Sequence, residues 1–333
     1  MAGKQLLAIR AKRGTMISYI VKRCLRIIPL LLIVSIVMFL VLNLLPGNAV
    51  TQILSDMGTV EQKEALEARF GLNLPVPVQY WKWLTNFVRG DMGKSFMTSK
   101  PVADMILERV PVTAEMILLA LSLAILIGIP AGIFCAVKRG KGTDYFLSTI
   151  AMAELAMPQF WIGMLLIMLL AVNLNILPAS GFTRFNLDPV RNLRSMILPT
   201  VTLGISLAAA IIRQTRSAML DAIHQDFVIT ARSKGVAEGK IFVKHALRNA
   251  LLPVVTAISS QINDMVGGAF VIETLFLLPG MGKMIVDAIY QRDYPVVMAG
   301  TMVVVTFVVL VNLCADILNT IIDPRISQKT LKS

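Results

Sequence analysis

Cysteine, histidine and charged residues are scarce in this 333-residue sequence. There are three cysteines and two histidines, and Asp, Glu, Lys and Arg together make up 16% of the chain. An odd number of cysteines, each within or beside an apolar segment, predicts neither a disulfide framework nor a metal site. The patterns H-E-x-x-H and G-x-S-x-G are also absent, which argues against a zinc or serine enzyme in the membrane.

The sequence is instead rich in apolar residues. The sequence is 56% hydrophobic and its mean hydropathy is +0.72, whereas soluble domains are roughly 45–50% apolar. This composition predicts a polytopic membrane protein. The net charge of +12 suits cytoplasmic loops rather than nucleic acid, because the basic residues are not interleaved with aromatics in a binding motif.

Six weakly charged stretches are long enough to cross a bilayer, which needs about 20 mainly apolar residues. They predict an all-α protein with spans at residues 27–45, 111–137, 145–172, 196–216, 249–272 and 297–322. The first could instead be a cleaved signal peptide, but it is longer than a signal-peptide core and no cleavage pattern follows it.

The distribution of Lys and Arg predicts that both termini are cytoplasmic. In this orientation 20 of the 32 basic residues are inside, and most of the others are in a long first loop, which has little influence on orientation. The cytoplasmic segments are then residues 1–26, 217–248 and 323–333, together with the short loop that carries Lys138, Arg139 and Lys141. Arg213 and Arg216, at the inner end of the fourth span, are counted on the same side. The outer loops are residues 46–110, 173–195 and 273–296. In the first outer loop, residues 61–70 predict a short helix that ends at Gly71.

Residues 226–253 form a polar, helix-prone stretch between the fourth and fifth spans. Asp226 is a candidate N-cap for a helix through Lys234, which Gly235 would end in a left-handed conformation. A second helix is predicted from Glu238. Its spacing gives one face with Lys240, Lys244 and Arg248 and an opposite face with Phe242, Ala246 and Ala250. The stretch is either a helical docking module or a solvated loop with interfacial lysines.

Two parts of this stretch resemble the cytoplasmic loop of ATP-binding cassette importer permeases. They are TARSKG at residues 230–235 and HALRNALLP at residues 245–253, and they are most similar to the dipeptide, oligopeptide and nickel permease family. The general importer pattern Glu-Ala-Ala-x-x-x-Gly has Ile229 in place of the Glu and Thr230 in place of the first Ala. This departure, together with the late Leu252-Pro253, favours the peptide branch over a sugar or amino-acid importer.

Other short motifs extend the resemblance from about residue 19 to residue 325. They are RGDMGKSF at 89–96, LPASG at 177–181, PGMG at 279–282, RDYP at 292–295 and DPR at 323–325. Each is weak by itself, but their order and their sides of the predicted membrane agree with the family.

The resemblance implies a type I importer permease fold in the bacterial plasma (inner) membrane. The implied partners are a second homologous permease subunit, two ATPase subunits, a solute-binding protein and a peptide substrate. ATP and Mg²⁺ would be used by the ATPase subunits, while this chain would bind no cofactor or metal and carry no catalytic residue. The implied ATPase-coupling residues are Asp226, Phe227, Thr230, Ala231, Lys234, Gly235 and Pro253.

The outer segment from Glu273 to Tyr294 is a candidate contact for the binding protein through Pro279, Gly280, Gly282 and Asp293. An ordinary outer loop is the alternative.

Two acids well inside apolar stretches, Glu154 and Asp264, are candidates for the substrate pathway, where a carboxylate would suit a peptide amine. They could equally pair with polar groups on neighbouring helices or on the second permease.

The alternative cargoes are glutathione, nickel and a metal chelate. Bare nickel is disfavoured because His224 and His245 are both predicted to be cytoplasmic. An ion-coupled secondary transporter is a further alternative, although the sequence shows no convincing internal repeat.

Overall fold

The computed structural model describes residues 25–44, 49–54 and 59–322. Within these ranges the chain forms thirteen α-helices and no β-strand, with one isolated bridge between Lys94 and Pro101. The prediction of an all-α protein is confirmed. Most of the predicted N-terminal segment 1–26, and all of the C-terminal segment 323–333 with its DPR motif, lie outside the described residues.

The helices are numbered in chain order. They are α1 (Leu25–Leu44), α2 (Ala49–Leu54), α3 (Val60–Phe70), α4 (Val76–Val88), α5 (Val102–Val137), α6 (Gly142–Leu155), α7 (Gln159–Leu166), α8 (Pro189–Ile223), α9 (Asp226–Ser233), α10 (Glu238–Lys240), α11 (Leu247–Leu275), α12 (Met281–Tyr290) and α13 (Tyr294–Ile322). Two π-helical segments, Ile167–Asn173 and Ile241–Ala246, follow α7 and α10 directly.

Four of the described helices are long and apolar enough to cross a membrane: α1, α5, α8 and α13. The bent pair of α6 and α7 makes a fifth span if its two halves cross together. The predicted span 249–272 coincides with α11, which is long enough but too polar to meet the same criterion. The count of six spans therefore stays a prediction.

The predicted straight span 145–172 is instead bent. α6 and α7 meet at an angle of 106°, and Pro158 is the residue before α7. Proline disfavours the helical conformation in the residue that precedes it, so α6 ends before Met157 and the chain turns. The sequence contained this signal in Met157-Pro158.

The predicted outer loop 46–110 contains regular structure. It holds α2, α3 and α4, and α5 begins at Val102 rather than at residue 111. The short helix expected at residues 61–70 is confirmed as α3. Thr59 and Gln62 form a reciprocal capping box at its start, and Gly71 ends it with φ = 70°.

The chain divides into two compact units, which are described separately. The smaller contains α1 to α4, the beginning of α5, α12 and the first half of α13. Its core packs Ile106 of α5 against Met281 and Met284 of α12 and Val297 of α13. The Tyr80 hydroxyl lies 2.9 Å from the Ser35 hydroxyl, which links α4 to α1.

The larger unit is built around α8. In α8, 72% of the most apolar stretch is buried, compared with 17–33% in the other three single-helix spans. α5 approaches it closely at Gly128 and Gly132, which face Ile211 and Thr215. A Cβ atom on Gly132 would lie 2.5 Å from the Thr215 Cβ, so only glycine allows this approach.

Candidate functional site

The polar stretch after α8 folds into a compact helix–turn–helix. Gln225 is the N-cap of α9, so the prediction that Asp226 is the cap is wrong by one residue. Asp226 is instead the first helical residue, where its carboxylate interacts favourably with the helix dipole. On the exposed side of the helix, the Thr230 hydroxyl donates a hydrogen bond to the Asp226 carbonyl one turn earlier, over 2.9 Å.

Gly235 ends α9 as predicted, with φ = 73°. The Val236 amide donates to the Ala231 carbonyl over 3.2 Å, and the Gly235 amide donates to the Arg232 carbonyl over 2.9 Å. These two hydrogen bonds define a Schellman motif, which requires a left-handed residue at the position of Gly235. Val236 and Ala231 also pack in the same apolar cluster, as this motif favours.

The inner face of α9 is held by a small apolar core. Val228 and Ala231 of α9 pack against Ile241, and Val228 and Ile241 are completely buried. Burial of an aliphatic side chain of this size contributes about 1.5–3 kcal/mol. This core fixes the helix against the segment that leads into α11.

An ion pair closes the turn on its exposed side. The Arg232 Nε and Nη2 atoms donate to the two Glu238 carboxylate oxygens over 2.7 and 3.2 Å. The hydrogen bond from Arg232 holds the pKa of Glu238 below its usual value, so the pair stays ionised at neutral pH. The contribution of the pair is present above the unfolded pKa of Glu238 and is lost as the pH falls through the folded pKa.

The outer face of α9 is free to meet another molecule. Asp226, Thr230, Lys234 and Gly235 are exposed, and Phe227 is half-buried. Of the predicted coupling residues on α9, Ala231 is buried in the small apolar core and Phe227 packs against that core. Ile229 was not among the predicted coupling residues, and its side chain is 56% exposed on this face.

The second helix of the module is continuous with α11. α10, the π-helix and α11 follow one another without a break. The face with Ala246 and Ala250 is buried: both pack with Met219 and Ala222 of α8, and Phe242 is partly buried beside them. The α-helical spacing assumed for the basic face does not hold through Ile241–Ala246, because a π-helix has more residues per turn.

Pro253 lies inside α11 and is exposed. Pro253 is near the beginning of α11, which continues from before it to Leu275, and near the beginning of the predicted fifth span 249–272. Proline in a helix interior leaves the carbonyl four residues earlier without its usual donor.

α11 presents a regular stripe of exposed positions, called here the α11 stripe. Its members recur every three or four residues and most are polar or small: Pro253, Thr256, Ser260, Asp264, Gly267, Val271 and Thr274. This is the spacing of one helix face. The stripe adds polar residues to an otherwise apolar helix, and it places Asp264 in the middle of an exposed face.

Glu154 occupies a different environment. It lies near the end of α6, its side chain is buried, and one carboxylate oxygen accepts a hydrogen bond from the Ser206 hydroxyl of α8. The other oxygen has no hydrogen-bond partner among the described residues. The two candidate pathway acids thus differ in their surroundings: Asp264 is exposed, whereas Glu154 is buried and links two helices.

Two of the predicted outer motifs meet within the smaller unit. The Ser95 hydroxyl donates to one oxygen of the Asp293 carboxylate, and the Phe96 amide donates to the other over 2.9 Å. Asp293 is 3% exposed. The expectation that its side chain contacts a binding protein is corrected, because both oxygens are used to hold the segment after Gly93 against the start of α13.

The PGMG turn is also mostly internal. Gly280 and Gly282 are buried and Pro279 is half-buried. The Met281 amide donates to the Thr113 hydroxyl over 2.8 Å, which fixes the start of α12. The exposed side chains of the segment from Glu273 to Tyr294 include Leu277, Ile289 and Tyr290.

The LPASG loop forms one wall of a cavity of about 470 Å³ at the start of α8. Two side chains of α8 clamp the loop: Asn192 donates to the Thr183 carbonyl over 2.9 Å, and Arg194 donates to the Ile176 carbonyl over 3.0 Å. In the part of the chain that the structure describes, no group of three His, Cys, Asp or Glu side chains could hold a metal.

Comparisons with known proteins agree with this arrangement. Residues 128–328 match the family described as the binding-protein-dependent transport system inner membrane component. Residues 16–117 match the N-terminal family of the same membrane components.

Similar curated proteins cover nearly the whole chain. The oligopeptide transport system permease protein AppB of Bacillus subtilis (strain 168) is 42% identical, with 93% of this chain and 99% of that protein covered. The dipeptide permease DppB of Alkalihalophilus pseudofirmus is 38% identical, with 93% and 99% covered. The glutathione permease GsiC of Escherichia coli O6:H1 is 37% identical, with 94% and 100% covered.

A solved structure shows the same fold. The inward-facing MetNI methionine ABC transporter contains a chain that matches with a TM-score of 0.56 at 20% identity, covering 68% of this chain and 99% of that one. The fold is that of a type I ABC importer permease, and the chain is a transport subunit rather than an enzyme. From its sequence matches, this protein belongs to the family of binding-protein-dependent transport system inner membrane components, as a dipeptide permease B-like permease of an ABC importer.

Proposed function

We propose that this permease imports di- and oligopeptides and that α9 transmits the movement of an ATPase subunit to the membrane helices. Its partners are a second permease, two ATPase subunits and an extracytoplasmic binding protein, and both of its termini face the cytoplasm. Peptide as cargo is supported by the relatives named as oligopeptide and dipeptide permeases. The observation that carries the role of α9 is a helix with a fixed inner face and an exposed outer face.

A coupling element must move with the partner and pull on the membrane helices. α9 satisfies the second condition because it joins α8 to α11 through a turn closed by a Schellman motif and an ion pair. A contact that differs between two states of the ATPase would then shift both long helices together. The exposed Ile229 supplies an apolar contact on the outer face.

Gly235→Asp tests this role. A Cβ at Gly235 would meet open space, so the substitution causes no steric clash. It disfavours the left-handed backbone conformation that Gly235 adopts, and it places an acid on the outer face. We expect the variant to insert normally but to lose ATP-dependent peptide uptake and the stimulation of ATPase activity by the loaded binding protein.

Gly142→Asp is the matched control. Gly142 is also an exposed glycine with open space around it, on the same predicted side of the membrane, but its φ is not positive. Uptake by this variant should equal that of the wild type. Wild-type uptake by Gly235→Asp at normal expression would refute the proposed role of α9.

The α11 stripe is the proposed surface of the transport pathway. A row that contains Thr256, Ser260 and Asp264 is costly against lipid, so it faces water or the second permease. Within the pathway the Asp264 carboxylate would attract the amino group of a peptide.

Transport of a free dipeptide and its N-acetylated form tests this role of Asp264. The preference for the free amine should fall in Asp264→Asn because the carboxylate charge is lost. Glu154→Gln is the comparison, since Glu154 is buried against Ser206 rather than on the stripe. The same preference in wild type and Asp264→Asn would remove Asp264 from the pathway.

Glutathione is the second candidate cargo, because GsiC is named as a glutathione permease and aligns over nearly the whole chain. Uptake of labelled glutathione and of a labelled dipeptide, measured with the cognate binding protein, separates the two. A cargo of nickel or a chelate would be indicated if neither is taken up while the metal is.

A further inference from the structure

A cavity of about 220 Å³ lies between α6 and α8, within the larger unit. Its lining includes Ser148, Met152 and Leu155 of α6 and Arg213, Arg216 and Ser217 of α8. None of these residues belongs to α9, to the turn that follows it or to the α11 stripe.

Of the two arginines that line the cavity, one forms an ion pair and the other does not. Arg216 donates through Nε and Nη2 to the two carboxylate oxygens of Asp144 over 2.7 and 2.8 Å. Asp144 also accepts from the Gly140 amide and from Ser148, so its charge is fully engaged. Arg213 is exposed and forms no ion pair with the residues that the structure describes.

The polar and apolar parts of the cavity are separated along the helix axes. α6 and α8 run antiparallel, because Asp144 pairs with Arg216 whereas Glu154 pairs with Ser206. Arg216, Ser217 and Ser148 therefore lie toward the end of α8 that leads into α9. Met152 and Leu155 lie further along the helices, and they are 63% and 43% exposed.

We propose that this cavity binds the headgroup of an anionic phospholipid, with its phosphate beside Arg213 and the start of an acyl chain along Met152 and Leu155. The proposal rests on the cytoplasmic orientation proposed above. An unpaired arginine in the same cavity as the Ser217 hydroxyl suits a phosphate oxygen, and basic pockets between helices on the cytoplasmic side are sites for such headgroups. A free anion would not explain the exposed apolar side of the cavity.

Native mass spectrometry of the assembled transporter tests the site. The complex is partly delipidated in detergent and then titrated with phosphatidylglycerol or phosphatidylcholine. Wild type should retain phosphatidylglycerol in preference. Arg213→Gln should lower its retention about fivefold, as expected for one basic residue near an anionic lipid, and leaves the Asp144–Arg216 pair intact. Arg248→Gln is the control, because Arg248 is an exposed arginine of α11 outside the cavity.

Met152→Trp provides a second, uncharged test that remains if Arg213→Gln does not assemble. A larger side chain at this exposed position fills the apolar part of the cavity, so lipid retention should fall without a change of charge. Equal retention in wild type and both variants would overturn the proposal, as would equal retention of the two lipids. Displacement of the lipid by millimolar inorganic phosphate would indicate a free-anion site and would also overturn it.

Peptide uptake by the same variants keeps this proposal separate from the proposed function. Loss of the lipid with normal uptake supports the lipid site and leaves the permease role unchanged. Unaltered lipid retention overturns the lipid site alone.

Discussion

A single carboxylate, that of Asp293, connects two segments that lie far apart in the sequence. It accepts hydrogen bonds from the Ser95 hydroxyl and the Phe96 amide, and it is almost completely buried. A positive φ of 57° at Arg292 turns the chain after α12 so that Asp293 can reach them. The GDMGKS and RDYP motifs are therefore two halves of one structural joint.

Asp293→Asn should weaken this joint, because it replaces charge-assisted hydrogen bonds with neutral ones. We expect a loss of about 1.5–3 kcal/mol of stability, measured as a lower melting temperature of the purified protein. Ser95→Ala should cost less on its own. In a double-mutant cycle the two losses should be less than additive, and additive losses would show that the contact contributes nothing.

Residue-level prediction from the sequence succeeded where the cause is local. Gly235 could be assigned because helix termination by a left-handed residue depends on a few neighbouring positions. The role of Asp293 could not, because its partner Ser95 is distant in the sequence. The exposure of Ile229 could not be predicted either, since an apolar residue on a short helix fits a core as well as a surface.

At the scale of the helices, the crossing of α5 and α8 depends on two glycines, which have no Cβ atom. Gly128 and Gly132 are one helical turn apart and face α8, where a Cβ would come within 2.7 Å of Ile211 or 2.5 Å of Thr215. Close approach of this kind lets helices in a membrane gain van der Waals contact without a large apolar side chain.

Gly132→Ala should push α5 away from α8 and lower the stability by about 1–3 kcal/mol, the range for an overpacked interior. Thermal unfolding of the detergent-solubilised protein measures the change. Gly142→Ala is the control, because a Cβ there meets open space, and it should be neutral or slightly stabilising. Equal melting temperatures for the two variants would contradict the packing argument.

Helix existence was predictable and helix shape was only partly so. The apolar stretches located α1, α5, α8 and α13, because about 20 apolar residues have few alternatives to a membrane helix. A break in the helix near the 106° bend was predictable from Pro158. The π-helix at Ile241–Ala246 was not, since it depends on how Ile241 and Ala246 pack against α9 and α8.

At the scale of the whole molecule, the sequence motifs indicated the family, and the structure shows where each motif lies in the fold. Residues 230–235 belong to a module with an exposed outer face, and the two outer motifs belong to an internal joint. The cargo is not encoded in any one of these contacts. In the proposed function a second permease completes the pathway, and the α11 stripe is the share proposed for this chain.

The proposed coupling role requires that α9 contacts an ATPase subunit. Photo-cross-linking from p-benzoylphenylalanine at Thr230, on the exposed face of α9, tests it in the assembled transporter. The control position is the exposed Ser180, in the LPASG loop on the predicted outer side. We predict an adduct between the permease and an ATPase subunit from Thr230 alone, which should change in yield when ATP is added. No ATPase adduct from Thr230, or an equal one from Ser180, would contradict the proposed coupling role.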